Sequence, residues 1–169
     1  MSSPTYDYVE AAIRKKTFGI YTTIDSQGRP HATGVLYGVS PPSSPLAIYI
    51  LTQEHYVKVR NVLANPNSTL VIPFPHRILS FVPSNCVTLR GTSEIVPFSA
   101  PDGRWAFEQH RILRDNALWL EEAAPVFLKL VPEPKIRCYG LGISMMKLRS
   151  DHTDGGYNVF IPRESASPP

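Results

Sequence analysis

The stretch TQEHYVKVRNVLANPN, Thr52 to Asn67, gathers a hydroxyl, an imidazole, an ammonium, a guanidinium and a carboxamide: Thr52, His55, Lys58, Arg60 and Asn61. These are the groups that hold a phosphate or another anion. If a short helix runs from about Glu54, Thr52 and His55 lie at or just before its first turn. There the unpaired N–H groups and the positive end of the helix dipole favour negative charge. Lys58 and Asn61, three residues apart, would share one face. Val59, Val62 and Leu63 would form a neighbouring apolar stripe packed on a sheet. Local physics leaves two uses open: a basic amphipathic helix with a solvated charged side, the commoner case, or a phosphate cradle.

Little else in the chain has the spacing of a reactive centre. The histidines at 31, 55, 76, 110 and 152 show no metal-ligand spacing. Cys86 and Cys138 lie far apart, each in a β-like run, and read as buried thiols rather than a C-x-x-C redox pair. There is no G-x-x-x-x-G-K-[ST] phosphate loop, no H-E-x-x-H helix and no G-x-S-x-G elbow. GLGISM at Gly140 begins like a dinucleotide glycine motif but lacks the third glycine and a following helix.

The elements that must position the candidate site can be read from apolar periodicity. Tyr8, Val9, Ala12 and Ile13 predict a helix over Tyr6–Lys16, whose end Arg14, Lys15, Lys16 is expected to be solvated. FGIYTTID and RPHATGVLYGV, joined by SQG, have the form of a β-hairpin. LAIYILT is apolar throughout and β-branched, as a strand central to a sheet would be, and runs straight into the basic helix. STLVIPF and CVTLRGTSEIV are further strands, the second with a bulge or bend expected at Gly91. ILSFV between them reads as a short strand or loop. Asp102 is expected to cap a helix reaching Leu120, carrying Trp105, Phe107, Ile112, Leu113 and Leu118. APVFLKLVP and KIRCYGLG return to strand character. Hairpins with one strand–helix–strand step predict an antiparallel barrel in a mainly β, α+β chain.

Composition bounds the functional classes. The chain has 169 residues, matching one domain, with 43% hydrophobic and 18% charged residues, so it reads as globular rather than disordered. A net charge of +3, without a basic stripe or aromatic–basic alternation, argues against nucleic acid. No run approaches the ~20 apolar residues that span a bilayer. The start MSSPTYDYVEAA does not read as a signal peptide, so a cytoplasmic protein without a membrane partner is expected.

The motif G-R-P-H at Gly28–His31 is followed, after one strand, by T-x(5)-K-x-R-N-x(3)-N-P at Thr52–Pro66. In this order, and with VTLRGTSEIV and KIRCYGLG after it, the chain from about residue 6 to residue 142 resembles the pyridoxamine 5′-phosphate oxidase-like family. The resemblance implies a six-stranded antiparallel split β-barrel with flanking helices that binds FMN. CYGLGISM is similar to members favouring the deazaflavin F420. It further implies that Lys58 contacts the flavin phosphate with Thr52 close by. Thr33, Gly34, Val35 and Leu36 would run beside the ring or ribityl chain, and a homodimer would hold the cofactor between its subunits. Residues from about 143 to 169 would form a C-terminal extension.

The chain also departs from the family's oxidases. Those carry an arginine and a lysine on the hairpin strand, where this chain has Thr33 and Gly38. They carry serine–arginine before the helix lysine, where it has Tyr56 and Val57. Arg60 or His55 would then substitute in holding the phosphate. Arg149 and His152 match the oxidases' substrate-holding residues by type alone and read as surface residues. Two functions follow. One is an FMN- or F420-dependent oxidoreductase acting on a small molecule, not necessarily pyridoxamine phosphate. The other is a flavin- or haem-binding protein of the same fold without turnover. Because hydride chemistry belongs to the cofactor, the absence of an acid–base pair is compatible with the enzyme, and no catalytic side chain is assigned.

Overall fold

The computed structural model describes residues 4–75, 84–120, 124–144 and 155–162. Helix α1 (Tyr6–Arg14) is capped by Thr5, whose hydroxyl accepts from the Tyr8 N–H, and buries Val9 and Ile13 one turn apart. Its basic end is only partly solvated. Arg14 is half-buried, donating to Glu10 and, at 2.6 Å, to the Ser40 carbonyl, so it fastens the helix to the chain beyond the first hairpin.

That hairpin forms as its turn chemistry predicts. Strands β1 (Phe18–Ile24) and β2 (Pro30–Leu36) pair antiparallel from Phe18↔Leu36 to Ile24↔Pro30. In the turn, Gly28 takes φ +79 and Asp25 accepts from the Gln27 and Arg29 N–H groups. The run RPHATGVLYGV does not stay one strand. Beyond Leu36 the buried Tyr37 donates to the Ile13 carbonyl, and a separate strand β3 (Gly38–Val39) pairs with β4 (Ile48–Gln53).

The remaining elements are α2 (Val57–Ala64), β5 (Asn67–Phe74), β6 (Asn85–Pro97), α3 (Pro101–Glu108), α4 (Arg111–Leu120), β7 (Pro125–Pro132), β8 (Lys135–Tyr139) and β9 (Gly156–Phe160). All strand pairings are antiparallel, in the order β2-β1-β5-β6-β7-β4-β3, with β8 joining β6 and β9 joining β8. The antiparallel barrel is therefore as expected, with nine strands among the described residues rather than six. Splitting the second hairpin strand adds β3, and β8 and β9 extend the far side. The sheet curls until β2, at its edge, comes against β4 without forming a ladder with it, which is the split of the barrel. No helix among the described residues is long and apolar enough to cross a membrane.

β4 is not central in this order; it lies between β7 and the two-residue β3. It is apolar throughout because both its faces are covered. Ile48 and Ile50 enter the barrel core with Val35, Leu70, Leu89 and Leu128. Ala47, Tyr49 and Leu51 pack on the other side against Phe107, Leu113 and Phe127. That second core is made by α3 and α4, which are two helices rather than one, with Ala100 rather than Asp102 at the N-cap and Pro101 in the first turn. Trp105 and Phe107 join this core, whereas Ile112 and Leu118 are exposed.

Gly91 is where β6 exchanges neighbours: β8 flanks it at residues 86–88 and β7 from Gly91 onward. Its register with β5 runs without a bulge, but a Cβ there would collide with the Val131 carbonyl. Cys138 is buried and Cys86 half-buried, both as free thiols, and burial pushes the Cys138 pKa up to about 11. ILSFV, Arg149 and His152 lie outside the described residues.

Candidate cofactor site

Helix α2 sits over one mouth of the barrel. It buries Val59, Val62 and Asn61, while Leu63 is 73% exposed. The expected stripe is thus rotated by one position, and the cause is polar. Asn61 Nδ2 donates to the buried Thr23 Oγ1 at 2.9 Å, so the carboxamide faces the sheet in the place expected for Leu63. Asn61 therefore points away from the Lys58 face, and its amide nitrogen already has a partner. Thr23 in turn donates weakly to the His31 carbonyl at 3.5 Å, linking α2 through β1 to β2. Next along the barrel wall, Tyr21 donates to Ser93 Oγ, which bonds Ser68 Oγ at 2.6 Å. Burial raises the Tyr21 pKa, and the two serine hydrogen bonds oppose that shift, so this network stays a neutral, satisfied part of the wall.

Among the described residues four buried polar side-chain atoms have no hydrogen-bond partner: Asn85 Oδ1 at the start of β6 and, on β2 and β4, Thr33 Oγ1, Thr52 Oγ1 and His31 Nδ1. His31 and Thr33 alternate with buried Val35 on the barrel face of β2, and Thr52 continues the barrel face of Ile48 and Ile50 on β4. The two strands meet at the split, and both lead to α2, β4 directly and β2 through Thr23 and Asn61. A buried polar group without a partner costs about 1–3 kcal/mol. Three of them on β2 and β4 leave hydrogen-bonding capacity that the described residues do not use.

Lys58 lies in the first turn of α2, half-buried, and burial lowers its pKa. Among the described residues it has no ion pair, and its Nζ lies 5.4 Å from the centre of the Tyr56 ring. Tyr56 is the N-cap residue but makes no side-chain cap bond, and His55 meets its ring edge-on at 4.9 Å. The amino terminus of α2 thus presents an uncompensated ammonium and uncapped N–H groups. Arg60 is exposed on the same helix and also lacks an ion pair among the described residues. An ammonium and two hydroxyls are the kinds of group that bind a phosphate, hydroxyls donating and an ammonium supplying charge.

The four hairpin residues do not present one side-chain face. Thr33 and Val35 point into the barrel. Gly34 faces outward, with the Phe18 ring lying where its side chain would be, and Leu36 packs against the second core. What β2 offers along its length is its outer edge, paired with no further strand among the described residues. His31, Thr23 and Tyr56 belong to this neighbourhood although their residue types did not single them out. The period-2 relation of His31 to Thr33 and Val35 was the available signal for the first. Thr23 is placed only by tertiary contact, whereas Tyr56 follows from its position at the start of α2.

These features define a split β-barrel protein with a polar seam closed by a lysine-bearing helix. The chain belongs to the pyridoxamine 5′-phosphate oxidase family, which matches it over residues 7–127. No curated protein sequence matches the chain. Among solved structures, a haem-binding protein from Mycobacterium smegmatis is similar with TM-score 0.68 at 17% identity, over 95% of this chain and 60% of that one. The chain thus spans about three fifths of that relative's length. The haem storage protein HutZ of Vibrio cholerae is similar with TM-score 0.63 at 14% identity, over 83% and 99% of the two chains. General Stress Protein 26 of Bacillus anthracis is similar with TM-score 0.52 at 16% identity, over 78% and 91%. At such identities the likeness is one of fold.

Proposed function

We propose that this chain binds FMN, with F420 as the alternative, and serves as a flavin- or deazaflavin-dependent oxidoreductase for a small molecule that need not be pyridoxamine phosphate. The observation that carries this reading is the pair of buried hydroxyls on Thr33 and Thr52 without a hydrogen-bond partner among the described residues, together with the half-buried, unpaired Lys58 in the first turn of the helix that follows β4. Lys58 supplies the charge for the cofactor phosphate and Thr52 a hydroxyl. Thr33 and the open edge of β2 lie along the rest of the molecule, and Arg60 and His55 flank the helix start. Hydride chemistry comes from the cofactor when it is bound. The chain's part is to orient it and to keep water from one side through the covered faces of β2 and β4.

A homodimer belongs to the same reading. β1 leaves Phe18 47% and Ile20 38% exposed on the outer sheet surface next to the open edge of β2, an apolar area suited to a second copy.

Haem is the ligand of the second reading. The Mycobacterium smegmatis and Vibrio cholerae relatives are described as haem proteins, and His31 Nδ1 is buried without a partner in the same seam.

Titration of the purified protein with FMN, F420 and haemin separates the two. The flavin reading expects saturable FMN or F420 binding, a band that reductant bleaches and an acceptor restores, and affinity ten- to a hundredfold lower in Lys58→Ala with an unchanged melting temperature. Unchanged affinity in that variant would overturn the phosphate assignment. A Soret band lost in His31→Ala, without flavin binding, would establish the second reading instead.

A further inference from the structure

On the side of the β4–β7 pair away from the barrel core, α3 and α4 leave a cavity of about 220 Å³. Its lining is aromatic: the Phe98 and Phe127 rings are 5.5 Å apart at a 31° tilt, and Phe107 approaches Phe127 at 5.2 Å. Typical sites for drug-sized molecules run to about 300–1,000 Å³, so this one suits a compound of one or two rings. Phe98 is half-buried, whereas Phe107 and Phe127 are almost wholly buried and back the cavity wall, so a flat ring meets an apolar surface there.

The rim is charged, and its charges are not spent on one another. Arg104 on α3 stands four residues before Glu108, the spacing of an i,i+4 ion pair, yet no such pair forms. The Arg104 guanidinium lies 4.7 Å from the centre of the Phe98 ring instead. Across the cleft on α4, Arg114 has no ion pair among the described residues, Asp115 pairing with Arg111. Two guanidinia and one carboxylate leave the mouth of an aromatic cavity with one net positive charge. Guanidinium forks match a planar carboxylate in geometry as well as in charge.

We propose that this cavity binds a planar aromatic monocarboxylate, its ring against the apolar wall of Phe98, Ala117 and Leu118 backed by Phe107 and Phe127, and its carboxylate held by Arg104 and Arg114. The site is separate from the polar seam. Phe127 faces the helices, whereas the next residue back, Val126, is the register partner of Thr52 and faces the barrel. The two sites are therefore back to back on one strand pair, and this one does not depend on the identity of the cofactor.

Calorimetric titration of the full chain with 2-naphthoate tests the assignment. Saturable binding at one site per chain is expected, at least tenfold tighter than that of neutral 2-naphthalenemethanol, a comparison that needs no variant. Arg104→Gln with Arg114→Gln should weaken naphthoate at least tenfold and leave the alcohol unchanged. Ala117→Leu, which fills the α4 wall of the cavity, should weaken both, and Lys58→Ala should change neither. The proposal is overturned by the absence of saturable binding, by equal affinity of acid and alcohol, by tighter binding of decanoate than of naphthoate, or by loss of binding in Lys58→Ala.

Discussion

Asn61 and Thr23, buried and hydrogen-bonded side chain to side chain at 2.9 Å, fix the rotation of α2 on the barrel and so the direction in which Lys58 points. Asn61→Ala removes this bond and leaves the Thr23 hydroxyl only its long contact with the His31 carbonyl. A loss of about 2 kcal/mol in urea-unfolding stability is expected. Thr23→Val, which orphans the Asn61 amide, should lose a similar amount, and the double variant less than the sum. FMN affinity should fall in Asn61→Ala because the helix carrying Lys58 loses its anchor. Wild-type stability in both single variants would contradict the anchoring role.

The lowered pKa of Lys58 gives the seam a pH signature. An anion site needs the ammonium, and burial makes its proton easier to lose than that of an ordinary lysine. A phosphate monoester is largely doubly charged above its second pKa of about 6. FMN affinity should therefore hold through neutral pH and then fall as the solution becomes alkaline, starting below the ordinary lysine range. Lys58→Arg keeps its charge throughout and should abolish the alkaline fall. Titrations from neutral to strongly alkaline pH check this, and an identical fall in both proteins would remove Lys58 as its cause.

Gly91 holds the crossing of strands on which the barrel depends. A methyl group there meets the Val131 carbonyl and the Pro132 Cα, both backbone atoms that cannot rotate away. Gly91→Ala should cost about 3 kcal/mol through displacement of β7, read as a lower urea midpoint with an unchanged slope. Gly28→Ala serves as a contrast. A side chain there meets open space, and only the left-handed backbone, φ +79, is strained, so a loss of about 1 kcal/mol is expected.

The hairpin, the strands and α2 were legible in the sequence because each is written in local spacing. Apolar residues at helical period built α1, a glycine-containing turn joined β1 to β2, and an unbroken apolar run made β4. Thr52 and Lys58 could be singled out in the same way, since a residue at a strand end and one in the following helical turn are fixed relative to each other by a few peptide units. The reading lost accuracy where spacing allowed two answers. Leu63 and Asn61 are both near the stripe of Val59 and Val62, and only the Thr23 hydroxyl across the barrel decides that the carboxamide goes inward. The helix expected through Leu120 breaks after Glu108, so its two halves pack separately over Phe127.

The sequence by itself determined where most strands and helices lie, though not β9 or the breaks between β2 and β3 and between α3 and α4, together with the antiparallel barrel class and the hydroxyl and lysine that bracket the start of α2. Tertiary structure alone decided that β4 is buried on both faces without being central, that the Thr33 and Thr52 hydroxyls are buried without partners among the described residues, and that Arg104 and Arg114 line one cavity with three phenylalanines. The physical reason is range. Periodicity reports which side of its own element a residue occupies, whereas a partner, or the lack of one, is set by strands and helices brought together from distant parts of the chain.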